Sequence, residues 1–184
     1  MNEFVIANQV SLTTERLILR EFTLMDAAAV FAYSTKPEAH QFADHPPHAS
    51  VYDTEEMIQR FIGWQYDTPR QNLVLGLALK NTPRTLIGDI ALTTTDQVNR
   101  EAELGFMIDP AYWGLGYGTE AAEALIGYGF TRVGWKRIAA ACHKDNLASQ
   151  KLLRRVGLQP SETPPANKPG LRFNPHMRFF SLER

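Results

Sequence analysis

The run 113-WGLGYGTEAAEALIGYGF-130 sets three alternate glycines, Gly114, Gly116 and Gly118, between an apolar strand-like stretch and a helix-like one. Glycines at this spacing permit backbone conformations and close approaches that a side chain forbids. A strand that ends in small residues opening a helix collects free backbone N–H groups at the positive end of a helix dipole, and such a junction attracts phosphate. The donors here are the N–H groups of Leu115, Gly116, Tyr117, Gly118 and Thr119, with Gly116 and Gly118 leaving the approach clear.

Three phosphate ligands compete for such a loop. A nucleoside triphosphate loop is excluded, because no Gly-Lys-Ser or Gly-Lys-Thr follows. A dinucleotide fingerprint requires Gly or Ala at 119, where Thr119 stands, and an acidic residue after the next strand, where 140-AACHK-144 offers none. The diphosphate of coenzyme A is the third.

The surrounding pattern is mixed α/β. Residues 12–22 alternate as one strand, and Thr23 with Asp26 fits a capping box for a helix reaching Tyr33. Residues 35–50, with three prolines and three histidines, read as a loop. Asp53 or Thr54 then caps a helix carrying Met57, Ile58, Phe61, Ile62 and Gln65 on one face. Strands are expected at 73–80 and 85–93, joined by a turn that contains Pro83, and at 101–109. A helix from about Thr119 to Val133, a strand over 136–143, a helix from Asn146 to Gly157, a proline-rich loop over 159–170 and a strand over 176–182 complete the chain. The expected fold is a central, mostly antiparallel twisted sheet with flanking helices, in a single domain over residues 1–184.

Composition narrows the partners. With 19 Lys plus Arg against 20 Asp plus Glu, the net charge of −1 provides no global field for nucleic acid or an anionic membrane. No apolar run approaches the roughly 20 residues that span a bilayer. The single cysteine, Cys142, cannot close an internal disulfide, and MNEFVIANQV lacks the basic start and apolar core of a secretory signal, so a cytoplasmic, water-soluble protein is expected.

The segments 103-ELGFMIDPAYWGLGYGTEAAEAL-125, 146-NLASQKLLRRVGL-158 and 13-TTERLILREFTLMDA-27 agree in order and spacing with one family. Together they resemble the GCN5-related N-acetyltransferases (the GNAT superfamily), and more narrowly their RimJ/RimL-like branch of ribosomal-protein N-terminal acetyltransferases. The resemblance covers nearly the whole chain and is weakest over 35–50 and 159–175. It implies an acyl-CoA N-acyltransferase fold with a splayed strand pair. It also implies transfer of acetyl from acetyl-CoA to a primary amine by direct attack in a ternary complex. Phe106, Met107, Ile108, the loop residues 115–119, Asn146 and Ser149 are implied to hold the cofactor. Trp113 stands where the family commonly has Arg or Gln; an aromatic there is usual in the Rim-type branch.

Direct attack on a thioester requires a neutral amine close to the carbonyl carbon, and then a proton for the departing thiolate. Glu103 occupies the position at which the resemblance implies a glutamate base, and alternation puts Glu101 on its face. Many members supply the acid from a tyrosine seven residues after the asparagine of the last motif; here that position is Leu153. The resemblance to the Rim-type branch offers instead a serine three residues after that asparagine, Ser149 here, and Asn146 can serve as an N-cap as well as bind the cofactor. An α-amine is roughly a tenth neutral at about pH 7, against less than about one in a thousand for lysine, so a weak base suffices for an α-amine. The expected acceptor is a peptide or protein N-terminus. The alternatives are a small-molecule amine (a polyamine, an amino acid or an antibiotic), or a non-catalytic acyl-CoA-sensing module. The oligomeric state is open, a homodimer included.

Other residues have simpler expectations. His40, Asp44, His45 and His48 sit in a proline-interrupted loop without regular ligand spacing, and no metal site is expected. Asp44 or a histidine of this loop can meet the incoming ammonium. Cys142 is expected as a small buried hydrophobe, Trp64, Trp113 and Trp135 as core or groove residues, and Glu120 as a first-turn carboxylate without a catalytic part.

Overall fold

The computed structural model describes residues 9–43 and 46–184, so Asp44 and His45 lie outside the described residues. The period-two pattern of the first strand works as expected: Leu17 and Leu19 enter one core while Ile18 and Phe22 enter another. The strands are β1 (Ser11–Thr13), β2 (Leu17–Glu21), β3 (Asn72–Leu79), β4 (Thr82–Asp96), β5 (Glu101–Ile108), β6 (Arg137–His143), β7 (Gln159–Ser161) and β8 (Met177–Glu183). They form an 8-stranded sheet in the order β1-β2-β3-β4-β5-β6-β8-β7. Every neighbouring pair is antiparallel except β5 with β6.

Helices cover both faces. One face packs α1 (Ala27–Ser34) and α3 (Val51–Trp64) through Val30, Tyr33 and Ile58. The other packs α4 (Tyr117–Tyr128) and α5 (Leu147–Arg155) through Ala121, Ala122, Leu125 and Leu153. Among the described residues no helix is long and apolar enough to cross a membrane.

Several boundaries differ from the sequence reading for local reasons. The strand expected over 12–22 divides into β1 and β2, because Thr14 turns the chain: its hydroxyl oxygen accepts the Leu17 N–H (3.0 Å) and its backbone N–H donates to the Leu17 carbonyl (3.0 Å). The cap of α3 is Ser50 rather than Asp53 or Thr54. Asp53 closes the box from inside, accepting the Ser50 N–H at 2.9 Å. A short helix, α2 (Pro37–His40), opens with Pro37 inside the expected loop. The proline-rich loop begins with β7, in which Pro160 is tolerated because β7 is the sheet edge.

The glycine loop also begins its helix earlier than expected. Gly116, at φ +84°, is the N-cap, so α4 starts at Tyr117 and not near Thr119. Gly114, at φ +75°, is likewise left-handed. Gly118 has a different reason: a Cβ there would come within 2.8 Å of Leu152 Cδ1, so its hydrogen lets α4 close on α5.

A latch fixes this loop to the β1–β2 turn. The Glu120 carboxylate accepts from the Thr14 hydroxyl (2.6 Å), the Arg16 N–H (2.8 Å) and Arg16 Nε (2.7 Å). Arg16 Nη1 donates to the Leu115 carbonyl at 2.9 Å, and the guanidinium lies 4.4 Å from the centre of the Tyr117 ring. Partial burial pushes the Glu120 carboxyl up, but the bonds from Thr14 and Arg16 outweigh it and leave the group below the usual carboxylate range.

A depressed carboxyl contributes stability that is complete above its unfolded pKa and lost as pH falls through the folded value. Glu120→Gln is therefore expected to cost about 1–2 kcal/mol near neutrality. In thermal melts across pH, its gap from the wild type should close as pH falls below about 4. Gly118→Val is expected to destabilise by about 1–3 kcal/mol through overpacking against Leu152, read in the same melts.

Candidate active site

β5 and β6 run together only briefly. Their parallel pairing covers Glu101 with Arg137, Ala102 with Ile138 and Glu103 with Ala139, and then stops. β5 nevertheless continues to Ile108 against β4, and β6 to His143 against β8. The strands therefore splay, as the family resemblance implies, and leave facing backbone edges without a strand partner.

Two cavities meet at this opening. The smaller, about 620 Å³, is lined by Trp113, Gly114, Gly116, Tyr117, Gly118 and Thr119 beside Ile108. The first-turn N–H groups of α4 have no intrahelical acceptor and face this loop region at the positive helix end. The larger cavity, about 950 Å³, lies between the sheet and the α1/α3 layer and includes Glu103. Phe106, Met107, Asn146 and Ser149 line both, as do Phe42 and Ala43.

Most sequence-predicted site residues are thus brought together. Phe106 and Met107 stand at the junction, and Ile108, Gly116, Tyr117, Gly118 and Thr119 surround the smaller cavity. Leu115 is set differently: its side chain is exposed and outside the lining, and its carbonyl is taken by Arg16. Asn146 is the N-cap of α5, its side chain accepting the Ser149 N–H at 3.0 Å. Leu153 is buried in the core and has no part in acid chemistry. Burial pushes the Cys142 thiol up, and Ser149 and the Arg178 charge offset only part of that, so it stays protonated at neutral pH.

The two carboxylates of β5 separate in role. Glu101 is 6% exposed and fully engaged, accepting from Arg137, the Thr95 hydroxyl (2.8 Å) and the Ala166 N–H (2.7 Å). It anchors the chain after β7. Glu103 opens on the larger cavity and meets Lys168 Nζ at 3.0 Å.

Sequence reasoning missed several groups. Lys168 arrives from an aperiodic loop, and no local pattern marks it. Phe42 stacks on His143 (centroids 5.3 Å apart), which stacks on His176 (5.7 Å), joining three distant segments beside the opening. Asp89 accepts from the Tyr33 hydroxyl at 2.7 Å within the α1 side of the cavity. Burial first, and the Asp89 charge second, push the Tyr33 phenol well up, so it remains a donor. His40 and His48 line the larger cavity, and His48 Nδ1 is 2.7 Å from the Thr54 hydroxyl. Among the described residues no three His, Cys, Asp or Glu side chains converge as a metal site.

Known proteins share this fold. Residues 16–159 match the acetyltransferase (GNAT) domain model. The uncharacterized N-acetyltransferase YoaA of Bacillus subtilis is 34% identical over 148 residues, covering 80% of this chain and 82% of that protein. A solved structure of a putative ribosomal-protein-serine acetyltransferase from Vibrio cholerae superposes with a TM-score of 0.77 at 27% identity, covering 95% of this chain and 98% of that one. RimL, the ribosomal L7/L12 α-N-protein acetyltransferase solved with coenzyme A, shares the fold at 17% identity, with a TM-score of 0.77 and coverage of 95% and 98%. This chain belongs to the GNAT family and is an acetyl-CoA-dependent N-acetyltransferase.

Proposed function

We propose that the protein, acting as one domain over residues 1–184, transfers acetyl from acetyl-CoA to the α-amine of a peptide or protein N-terminus. The observation that carries this reading is the junction of two cavities at Phe106, Met107, Asn146 and Ser149, one headed by a phosphate-type loop and the other by a carboxylate. The first turn of α4, behind the left-handed Gly114 and Gly116, would hold the coenzyme diphosphate. The edge of residues 106–108, which β6 leaves without a strand partner, would satisfy the amides of its arm.

The acceptor enters from the larger cavity. Glu103 takes the proton, directly or through water, as the amine nitrogen bonds the carbonyl carbon and the C–S bond breaks. Ser149 hydrogen-bonds the departing thiolate and relays to it the second proton, which the amine nitrogen loses as the amide forms, so that Ser149 itself stays protonated. Lys168 holds Glu103 between turnovers and yields to the acceptor ammonium, a cation of the same charge. The α-N-protein specificity in the name of RimL supports an N-terminal acceptor.

Thiol release from acetyl-CoA should appear with N-terminal peptides and be at least about tenfold slower, by kcat/KM, with lysine peptides blocked at the N-terminus and with polyamines. Equal or faster turnover of polyamines would replace the peptide reading. Glu103→Gln is expected to lower kcat roughly tenfold to a hundredfold at about pH 7, with the loss shrinking toward about pH 9 as the amine deprotonates unaided. A pH-independent loss would remove Glu103 as base.

A further inference from the structure

Gly105 sits in the middle of β5 and has no local reason to be glycine. Its φ is not in the left-handed region, and a Cβ built on it would meet nothing within 4 Å. A glycine inside a strand weakens the strand, so its presence marks a place where something approaches the backbone. Its cross-strand partner is Ala91, also small. Both line the larger cavity, on the face that also carries Glu103.

Part of the wall of this cavity is apolar. Met57, Phe61 and Trp64 of α3 line the same cavity, and the Phe61 and Trp64 rings pack with centroids 5.3 Å apart. No side chain rises from the floor at Gly105 to fill the gap. Glu103 and Gly105 are two residues apart on one strand face, about 7 Å. That step suits an amine held at Glu103 whose attached carbon projects over Gly105.

We propose that this slot receives the acceptor's first side chain, and that the acceptor class is amines bearing a large apolar group, such as N-termini beginning with Leu, Met or Phe, in preference to Ala or Ser. Gly105 is the specificity-determining residue, because any side chain there occupies the slot floor. This rests on the α-amine reading above for its choice of acceptor, while the size preference belongs to the slot. Burying a Leu or Phe side chain that Ala lacks is worth at least about tenfold in kcat/KM.

The test compares peptides identical except for a first residue of Phe, Leu, Ala or Ser, together with phenylalanine amide and alanine amide, on the wild type, Gly105→Ala and Gly105→Val. The wild type should favour Phe and Leu by at least about tenfold. Gly105→Val should lose about tenfold or more on Phe and Leu while staying within about twofold on Ala and Ser, with Gly105→Ala between them. The acetyl-CoA dissociation constant, measured by calorimetry, should be unchanged in both variants, which separates a filled slot from a damaged fold. A wild type that treats all four alike or prefers Ala and Ser, or a Gly105→Val loss equal across acceptors, overturns the proposal. Peptides turned over without a size pattern sink the slot and leave the α-amine reading standing. Amides turned over with the pattern, beside inert peptides, keep the slot and replace the peptide or protein N-terminus with a small free α-amine as acceptor. If none turns over, calorimetry of the two amides on the CoA-loaded protein decides, and equal binding overturns the slot.

Discussion

The parting of β5 from β6 after Glu103 is the constraint from which the site follows. Each strand has a full-length partner on its outer side, β4 for β5 and β8 for β6, so neither can move to close the gap without breaking a longer ladder. The inner edges therefore keep backbone donors and acceptors that water or a ligand must satisfy. An amide-bearing arm fits that requirement better than a flat ring or a bare phosphate. Both cavities exist because the sheet stops being continuous at this point.

The loop at one end of the opening is held by charge as much as by glycine. Left-handed backbone at Gly114 and Gly116 turns the chain, but the direction of α4 is set by Glu120 and Arg16 across to the β1–β2 turn. The same guanidinium takes the Leu115 carbonyl and covers the Tyr117 ring. Glu120, a carboxylate in the first turn of α4, has its charge neutralised by Arg16. The latch explains why residues far apart in the chain, 14–16 and 115–120, belong to one structural unit.

What could be read in the sequence was what repeats or punctuates. Alternation over Leu17 to Phe22, the three-to-four spacing through Ile58, and the glycines before α4 and after α5 gave elements and faces that the structure retains. The junction residues Phe106, Asn146 and Ser149 were legible through the resemblance, not through any spacing rule. Groups that act at long range were invisible: Lys168 reaches Glu103 across 65 positions, and the Phe42, His143 and His176 rings meet from three loops or strand ends. Turn chemistry explains the boundary errors. Thr14 and Ser50 use side-chain bonds to their own backbone neighbourhood, which periodicity does not register.

The proton balance at Glu103 ties these features to the proposed acceptor. Lys168 Nζ stands 3.0 Å from the Glu103 carboxylate, so an incoming cation reaches that carboxylate only by taking the place of Lys168. For an α-amine, roughly a tenth neutral at about pH 7, a modest base costs little, because the nucleophile is already present in useful amount. For a lysine side chain the neutral fraction falls below about one in a thousand, and the same base would have to make up that deficit within the site. An arriving α-ammonium that displaces Lys168 keeps the charge at Glu103 constant, so exchange requires no uncompensated burial of the carboxylate. The arrangement favours an acceptor that loses its proton readily over one that must be forced to do so.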